Sequence, residues 1–226
     1  MNCLLCQQPF SQSLTLAELL HWQPLLTEKI CSRCRQRLMP ITTACPECGR
    51  TQKTSELCRD CQRWLEKQPR QQLHNHALFV YNELLQDFFK RYKSLGDYRL
   101  RDAFTTDCQR WLRQHPADLY VPIPTDATSY AKRGFNPVVG LYEDCVPLTF
   151  CLKKQPQKVK QAHKKRRARL RTPQLFYFAG EAAILNYKKI LLLDDIYTTG
   201  RTMRHAQACL KIAAPDCQVH TFTLAR

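Results

Sequence analysis

From residue 77 onward the apolar positions alternate between short runs and helical spacings. Ala77 to Tyr81 (ALFVY) reads as a strand. Between Glu83 and Lys93 the apolar residues are Leu84, Leu85, Phe88, Phe89 and Tyr92, the spacing of one helix face. Gly96 stands where that helix should stop. A second helix is expected from Asp97 to about His115, ahead of Pro116. Leu119 to Ile123 reads as a strand, and Asn136 to Cys145 as a helix with Pro137 in its first turn. Leu148 to Leu152 is expected to be a strand, and Lys188 to Leu193 is an apolar run of buried-strand type. Thr202 to Ala213 is expected to be a helix and Gln218 to Leu224 a last strand. Strands alternating with helices predict an α/β fold with a mainly parallel sheet covered on both faces.

The first part of the chain follows a different rule. Eight of the 13 cysteines fall in residues 1–61, as the pairs Cys3/Cys6, Cys31/Cys34, Cys45/Cys48 and Cys58/Cys61. A CxxC turn brings two sulfurs close enough to share one metal, and two turns close a tetrahedral thiolate site of the kind zinc takes. Four turns therefore predict two structural zinc ions, which would supply much of the folding free energy of so small a segment. Consecutive pairing joins Cys3, Cys6, Cys31 and Cys34 in one site and Cys45, Cys48, Cys58 and Cys61 in the other. Pairing the first turn with the third remains an alternative. The remaining cysteines lack such spacing and read as buried core thiols. The polar stretch 62–76 reads as a linker between a zinc module at 1–61 and an α/β domain at 77–226.

Charge adds a partner to this picture. The chain of 226 residues carries 35 Lys/Arg against 19 Asp/Glu, a net +16. The excess is concentrated: between Lys153 and Arg171 lie Lys153, Lys154, Lys158, Lys160, Lys164, Lys165, Arg166, Arg167, Arg169 and Arg171, with no acid among them. Such a segment suits phosphate, either a small diphosphate ligand or a nucleic-acid backbone with bases stacked on aromatics such as Tyr130, Phe135 or Tyr177. Phe176 reads rather as core. No run of about 18 apolar residues occurs, so no membrane span is expected. The first residues do not read as a signal peptide, which makes a cytoplasmic location the expectation.

The most informative segment is Ile190-Leu-Leu-Leu-Asp-Asp-Ile-Tyr-Thr-Thr-Gly-Arg-Thr-Met203. A buried strand here delivers Asp194 and Asp195 to its C-terminal end, the edge at which open α/β sheets bind ligands. Adjacent carboxylates suit the hydroxyls of a sugar or a hydrated magnesium ion. The following turn offers the hydroxyls of Thr198, Thr199 and Thr202 and the N–H groups of a helix start, a cradle for a phosphate dianion. Gly200 lets the backbone approach it closely. An ordinary turn and helix cap would explain any one of these residues, but not the ordered set.

This strand-Asp-Asp-x-x-Thr-Thr-Gly-x-Thr segment resembles the signature of type I phosphoribosyltransferases. Over nearly its full length the chain resembles the ComF/GntX family. The shared parts are the repeated CxxC start, Ala77 to Tyr98 (ALFVYNELLQDFFKRYKSLGDY), Val121-Pro-Ile-Pro124, Arg133-Gly-Phe-Asn136, the basic segment around Gln161, and Asp194 to Thr202. The resemblance implies a phosphoribosyltransferase-like fold and phosphoribosyl pyrophosphate with magnesium as ligand. It places Asp194 and Asp195 on the ribose hydroxyls, as catalytic groups if the protein is active. Thr198, Thr199, Gly200, Arg201 and Thr202 would lie on the phosphate. Lys132 and Arg133, in an early loop at Pro124 to Gly134, would meet pyrophosphate. The basic segment corresponds to a mobile loop. Two positions depart from the pattern: Arg201 stands where a small residue is usual, and the Arg-plus-Asn pair after the mobile loop is replaced by Lys165-Arg-Arg-Ala-Arg-Leu170. The family further implies a role in DNA uptake during natural transformation, with single-stranded DNA and a competence helicase or other DNA-processing proteins as partners. A working phosphoribosyltransferase with an unidentified acceptor is the alternative.

Overall fold

The computed structural model describes residues 1–12, 20, 28–67, 69, 72–155, 174–186 and 188–226. Four parallel strands form the central sheet: β1 (Asn75–Phe79), β2 (Leu119–Pro122), β5 (Lys189–Ile196) and β6 (Gln218–Ala225), in the spatial order β1-β6-β5-β2. The expected mainly parallel sheet flanked by helices is thus present. β5 reads Ile-Leu-Leu-Leu without a break because both of its faces are covered, as parallel strands require. Its side chains alternate between two layers. Leu191 and Leu193 join Phe88, Phe104, Tyr142 and Phe222 on one face. Ile190 and Leu192 join Phe176, Met203, Leu210 and Val219 on the other.

The helices whose bounds lie among the described residues are α1 (Ser32–Arg37), α2 (Arg59–Lys67), α3 (Glu83–Phe89), α4 (Thr105–Gln114), α5 (Ala127–Arg133), α6 (Pro137–Tyr142) and α7 (Arg201–Ala213). Several differ in extent from the sequence reading. The helix expected over 83–93 is α3 followed by a π-helical turn, Lys90–Ser94, and Gly96 ends the segment at φ 72°. The helix expected from Asp97 begins as a 3₁₀ segment, Tyr98–Phe104, before α4. Its buried Leu100 and Ala103 are three residues apart, and a three-residue turn stacks them on one line. The strand expected at Leu148 to Leu152 is reduced to a single bridge between Leu148 and Tyr120. The chain then enters β3 (Leu152–Lys154), which pairs antiparallel with β4 (Phe176–Phe178). Pro124 to Gly134, expected as a loop, contains α5. Asp126 caps its start by accepting from Ser129 N at 2.8 Å, and Gly134 ends it at φ 85°. Within the stretch read as linker, α2 runs on past Cys61 and β1 begins at Asn75.

The cysteine-rich region is built as two copies of one unit. Each starts with a tight turn: Cys3 N donates to Gln8 O and Cys45 N to Arg50 O, both at 2.9 Å. The residue after each second cysteine is left-handed, Gln7 at φ 61° and Gly49 at φ 68°. Each unit closes with a CxxC at the start of a helix, α1 in one and α2 in the other. The first unit packs into the layer of α3, α4 and α6, and the second into the layer of α7. The second is also bolted down by charge. Glu47 lies inside its first CxxC and is 2 % exposed. Its Oε1 accepts from Arg204 Nη2 of α7 at 2.9 Å and from Leu73 N at 2.8 Å. Breaking a buried ion pair by removing one member costs about 3–5 kcal/mol, because the other charge stays buried. Urea denaturation of the zinc-loaded protein should therefore show Glu47→Ala and Arg204→Met each destabilised by about that amount. The double variant should lose much less than the sum, and simple additivity would disprove the coupling.

Candidate functional site

β2 pairs with β5 only as far as Pro122 opposite Leu193. Asp194 and Asp195 follow at once, so both acids emerge where the two strands part. Tyr142 of α6 donates to Asp194 O at 2.9 Å and pins this end of the strand. Asp194 is half-buried and its Oδ1 accepts from Asp195 N at 2.9 Å. Desolvation, and then the neighbouring Asp195 charge, push its carboxyl well above the usual carboxylate range. Asp195 is 8 % exposed, and Lys93 Nζ lies 2.6 Å from its Oδ2. The acids open into a cavity of about 210 Å³ lined also by Pro124, Asp126, Asn136, Arg133 and Lys154. Asp126 already accepts from Ser129 N and Oγ and pairs with Lys154 Nζ at 3.4 Å, and these contacts hold its pKa down at about 2. The cavity therefore brings three carboxyl groups, Asp126, Asp194 and Asp195, together with the cations Lys93, Arg133 and Lys154.

The Thr-Gly turn lies beside this cavity. Gly200 has φ 74°, and a Cβ there would stand 2.0 Å from the hydroxyl of Tyr197, so the turn admits glycine alone. Thr198, Thr199 and Arg201 are exposed and Thr202 is half-buried at the start of α7. Thr198 and Thr199 line a second cavity of about 200 Å³, shared with Cys48, Trp64 and Arg226 under the second cysteine unit. Of the cations expected at pyrophosphate, Arg133 lines the acidic cavity and donates from Nε to Lys93 O at 2.8 Å. Lys132 is exposed on α5 and is not among the residues lining it. Lys93 is the site residue the sequence did not single out. Among Lys90, Arg91 and Lys93 only the tertiary fold distinguishes the one that reaches Asp195, while Arg91 pairs with Asp87 and Asp97.

The cysteines gather by consecutive pairing. Cys3, Cys6, Cys31 and Cys34 form one group, and Cys45, Cys48, Cys58 and Cys61 the other, with all ligand atoms of a group within 4.8 Å of one another. Cys6 to Cys31 and Cys48 to Cys58 both measure 3.7 Å between sulfurs. Zn–S bonds of about 2.3 Å in a tetrahedron give an edge of about 3.8 Å, so both groups can hold zinc. Cys31 N donates to Cys3 Sγ and Cys58 N to Cys45 Sγ, each at 3.3 Å, so the two groups share the same backbone-to-sulfur bond. The second group also touches the Thr-Gly turn: Arg226 donates from Nη2 to Cys48 Sγ at 3.8 Å and from Nη1 to Tyr197 O at 3.3 Å.

Of the basic segment, Lys153 and Lys154 belong to β3. Lys158, Lys160, Lys164, Lys165, Arg166, Arg167, Arg169 and Arg171 lie outside the described residues. Lys153 is exposed and stands opposite Tyr177, itself 40 % exposed. Tyr130 is 52 % exposed on α5. Phe176 is core, as its sequence context suggested, and Phe135 packs between Tyr92 and Tyr98. No helix among the described residues is long and apolar enough to cross a membrane.

The chain is 36 % identical to competence protein ComFC of Streptococcus pneumoniae (strain ATCC BAA-255 / R6), with both chains covered completely. It is 34 % identical to competence protein ComFC of Bacillus subtilis (strain 168), over 99 % of this chain and 94 % of that one. No family model matches. Among solved structures, an allosteric regulatory enzyme of purine biosynthesis overlays on 55 % of this chain and 26 % of its own, with 17 % identity and a TM-score of 0.36, too loosely for any conclusion about function.

The consecutive pairing makes a metal-release prediction. Cys61→Ser should remove the zinc of the second group only, and Cys34→Ser that of the first. A chelator-dye titration, read against the unfolded protein, should show one equivalent lost in each case. Retention of both metals in either variant would contradict the pairing.

Proposed function

Because the chain belongs to the ComF family together with competence protein ComFC, we propose that it is a competence factor that binds phosphoribosyl pyrophosphate and single-stranded DNA during DNA uptake. The observation that carries the ligand is the crevice at the end of β5. It sets Asp194 and Asp195 against Arg133 and Lys154 in one cavity, next to a Thr-Gly turn that opens α7. Carboxylates accept from a sugar diol, cations face a diphosphate, and the N–H groups at the start of a helix of 13 residues favour a phosphate. Magnesium would enter with the diphosphate and neutralise part of its charge.

The raised Asp194 carboxyl gives this reading a pH signature. Its pKa lies above the unfolded value, so the native protein holds the extra proton and loses stability as pH rises through the native pKa. If the diol needs the ionised form, binding releases that proton. Calorimetric titration with phosphoribosyl pyrophosphate and magnesium should then show affinity rising as pH climbs through neutrality. Asp194→Asn should flatten this dependence, and Asp194→Ala with Asp195→Ala should abolish binding. Binding that survives the double substitution sinks the assignment. Diphosphate release that depends on an added acceptor would replace a binding role by a transferase one.

Single-stranded DNA is supported by the basic segment and by Lys153 beside the exposed ring of Tyr177. A base stacked on an aromatic side chain is worth about 1–3 kcal/mol, and each phosphate neutralised on a single strand adds about 0.7 to the salt slope. Fluorescence anisotropy with a labelled oligonucleotide should show Tyr177→Ala weakening binding by roughly tenfold at any salt. Lys153→Ala should mainly reduce the slope. A salt-independent affinity would rule the nucleic-acid reading out.

A further inference from the structure

Lys93 sits where a ligand cation or hydroxyl would be expected. Its ammonium is 2.6 Å from Asp195 Oδ2, with the two side chains 27 % and 11 % exposed, and it lines the same cavity as Arg133, Lys154 and Asp194. Its backbone is fixed from both sides. The π-helical turn is closed by Leu95 N donating to Lys90 O at 3.2 Å, and Lys93 O accepts from Arg133 Nε at 2.8 Å. Two residues earlier, Arg91 donates to Leu5 O at 2.7 Å and Leu4 O at 3.2 Å, tying the turn to the first cysteine unit. The Lys93 ammonium also lies 4.9 Å from the centroid of the Phe89 ring, a cation–π contact that helps hold the side chain in place. π-turns of this kind recur at functional sites because they re-aim a side chain that a regular helix would point elsewhere.

We propose that Lys93 is the built-in counter-ion of Asp195, which keeps bare divalent cations off the acid pair, leaves it open to a sugar diol, and stands ready for the diphosphate that the sugar carries. The proposal deepens the phosphoribosyl pyrophosphate reading of the crevice and rests on it. A hard divalent cation such as magnesium or manganese binds protein mainly through ionised carboxylates. At Asp195 it would have to displace a charge-assisted hydrogen bond and would then face an ammonium at contact distance. A neutral hydroxyl has no such conflict, because a carboxylate offers about four lone-pair sites and Lys93 occupies one. Once the diol is seated, the ammonium is already in the cavity that would receive the diphosphate. The crevice is thereby selective for a sugar that carries its own magnesium, against magnesium alone.

The test uses the zinc-loaded full chain and two inorganic probes, so that it does not depend on the identity of the sugar. Hydrogen bonds to charged groups contribute about 1.5–3 kcal/mol, roughly 10- to 100-fold in affinity. Lys93→Gln should bind manganese alone at least about tenfold more tightly than the parent, Lys93→Arg should behave as the parent, and adding Asp195→Asn to Lys93→Gln should remove the gain. Unchanged manganese affinity in a Lys93→Gln protein with an intact melting transition overturns the proposal. If that variant does not fold, Asp195→Asn decides. It releases Lys93, so inorganic diphosphate should bind several-fold more tightly, and an equal or weaker affinity overturns the proposal. Failure of phosphoribosyl pyrophosphate to bind while both inorganic results stand would remove the ligand assignment and leave the counter-ion in place.

Discussion

β5 is hydrogen-bonded on both edges and covered on both faces. A strand so placed can carry charge only where it runs out of the sheet, since an unpaired carboxylate inside would cost several kcal/mol. Its four apolar residues therefore lead directly to Asp194 and Asp195 at the point where β2 stops pairing. Two adjacent acids at a half-buried edge would repel each other, and their surroundings answer that repulsion. Asp194 is biased toward its protonated form, and Asp195 is given Lys93. The crevice, its cations and the tight Gly200 turn all follow from holding this pair at the end of a buried strand.

The cysteine units serve the same end of the sheet from opposite layers. The first unit reaches the site through Arg91, whose guanidinium spans to the Leu4 and Leu5 carbonyls while Lys93 extends into the crevice. The second reaches it through Glu47 and Arg226. Arg204 N donates to Gly200 O, so the residue gripped by Glu47 belongs to the first turn of the helix that the Thr-Gly segment opens. Arg204 also lies over the ring of Trp64, 4.7 Å from its centroid, in α2 of the same unit. Each unit is too small to bury a core of its own, and metal is the usual substitute. Docked as they are, the two units are walls of the α/β fold as well as a leading segment. Gly49 shows how close the fit is: a Cβ there would come within 2.9 Å of Asn75 O.

Local sequence determined the parts of this protein whose physics is local. The alternation of apolar runs and helical spacings specified the strands and the parallel sheet, because a doubly covered strand and an amphipathic helix leave different periods. The CxxC turns specified cysteine pairs, because two sulfurs three residues apart meet in any such turn, and the four pairs gather into two groups. The order Asp-Asp-x-x-Thr-Thr-Gly specified two acids at a strand end followed by a tight turn into a helix. What the sequence left open was settled by contacts between distant residues. Consecutive cysteine pairing follows from each unit closing on its own helix. The 3₁₀ and π-helical segments arise where buried residues must line up against the sheet, and the helix in Pro124 to Gly134 is held by the Asp126 cap and the left-handed Gly134. Lys93 on Asp195 and Glu47 on Arg204 join residues about 100 or more positions apart. A charge has no periodicity that reveals its partner, so only the tertiary structure could assign these pairs, and with them the electrostatic character of the site.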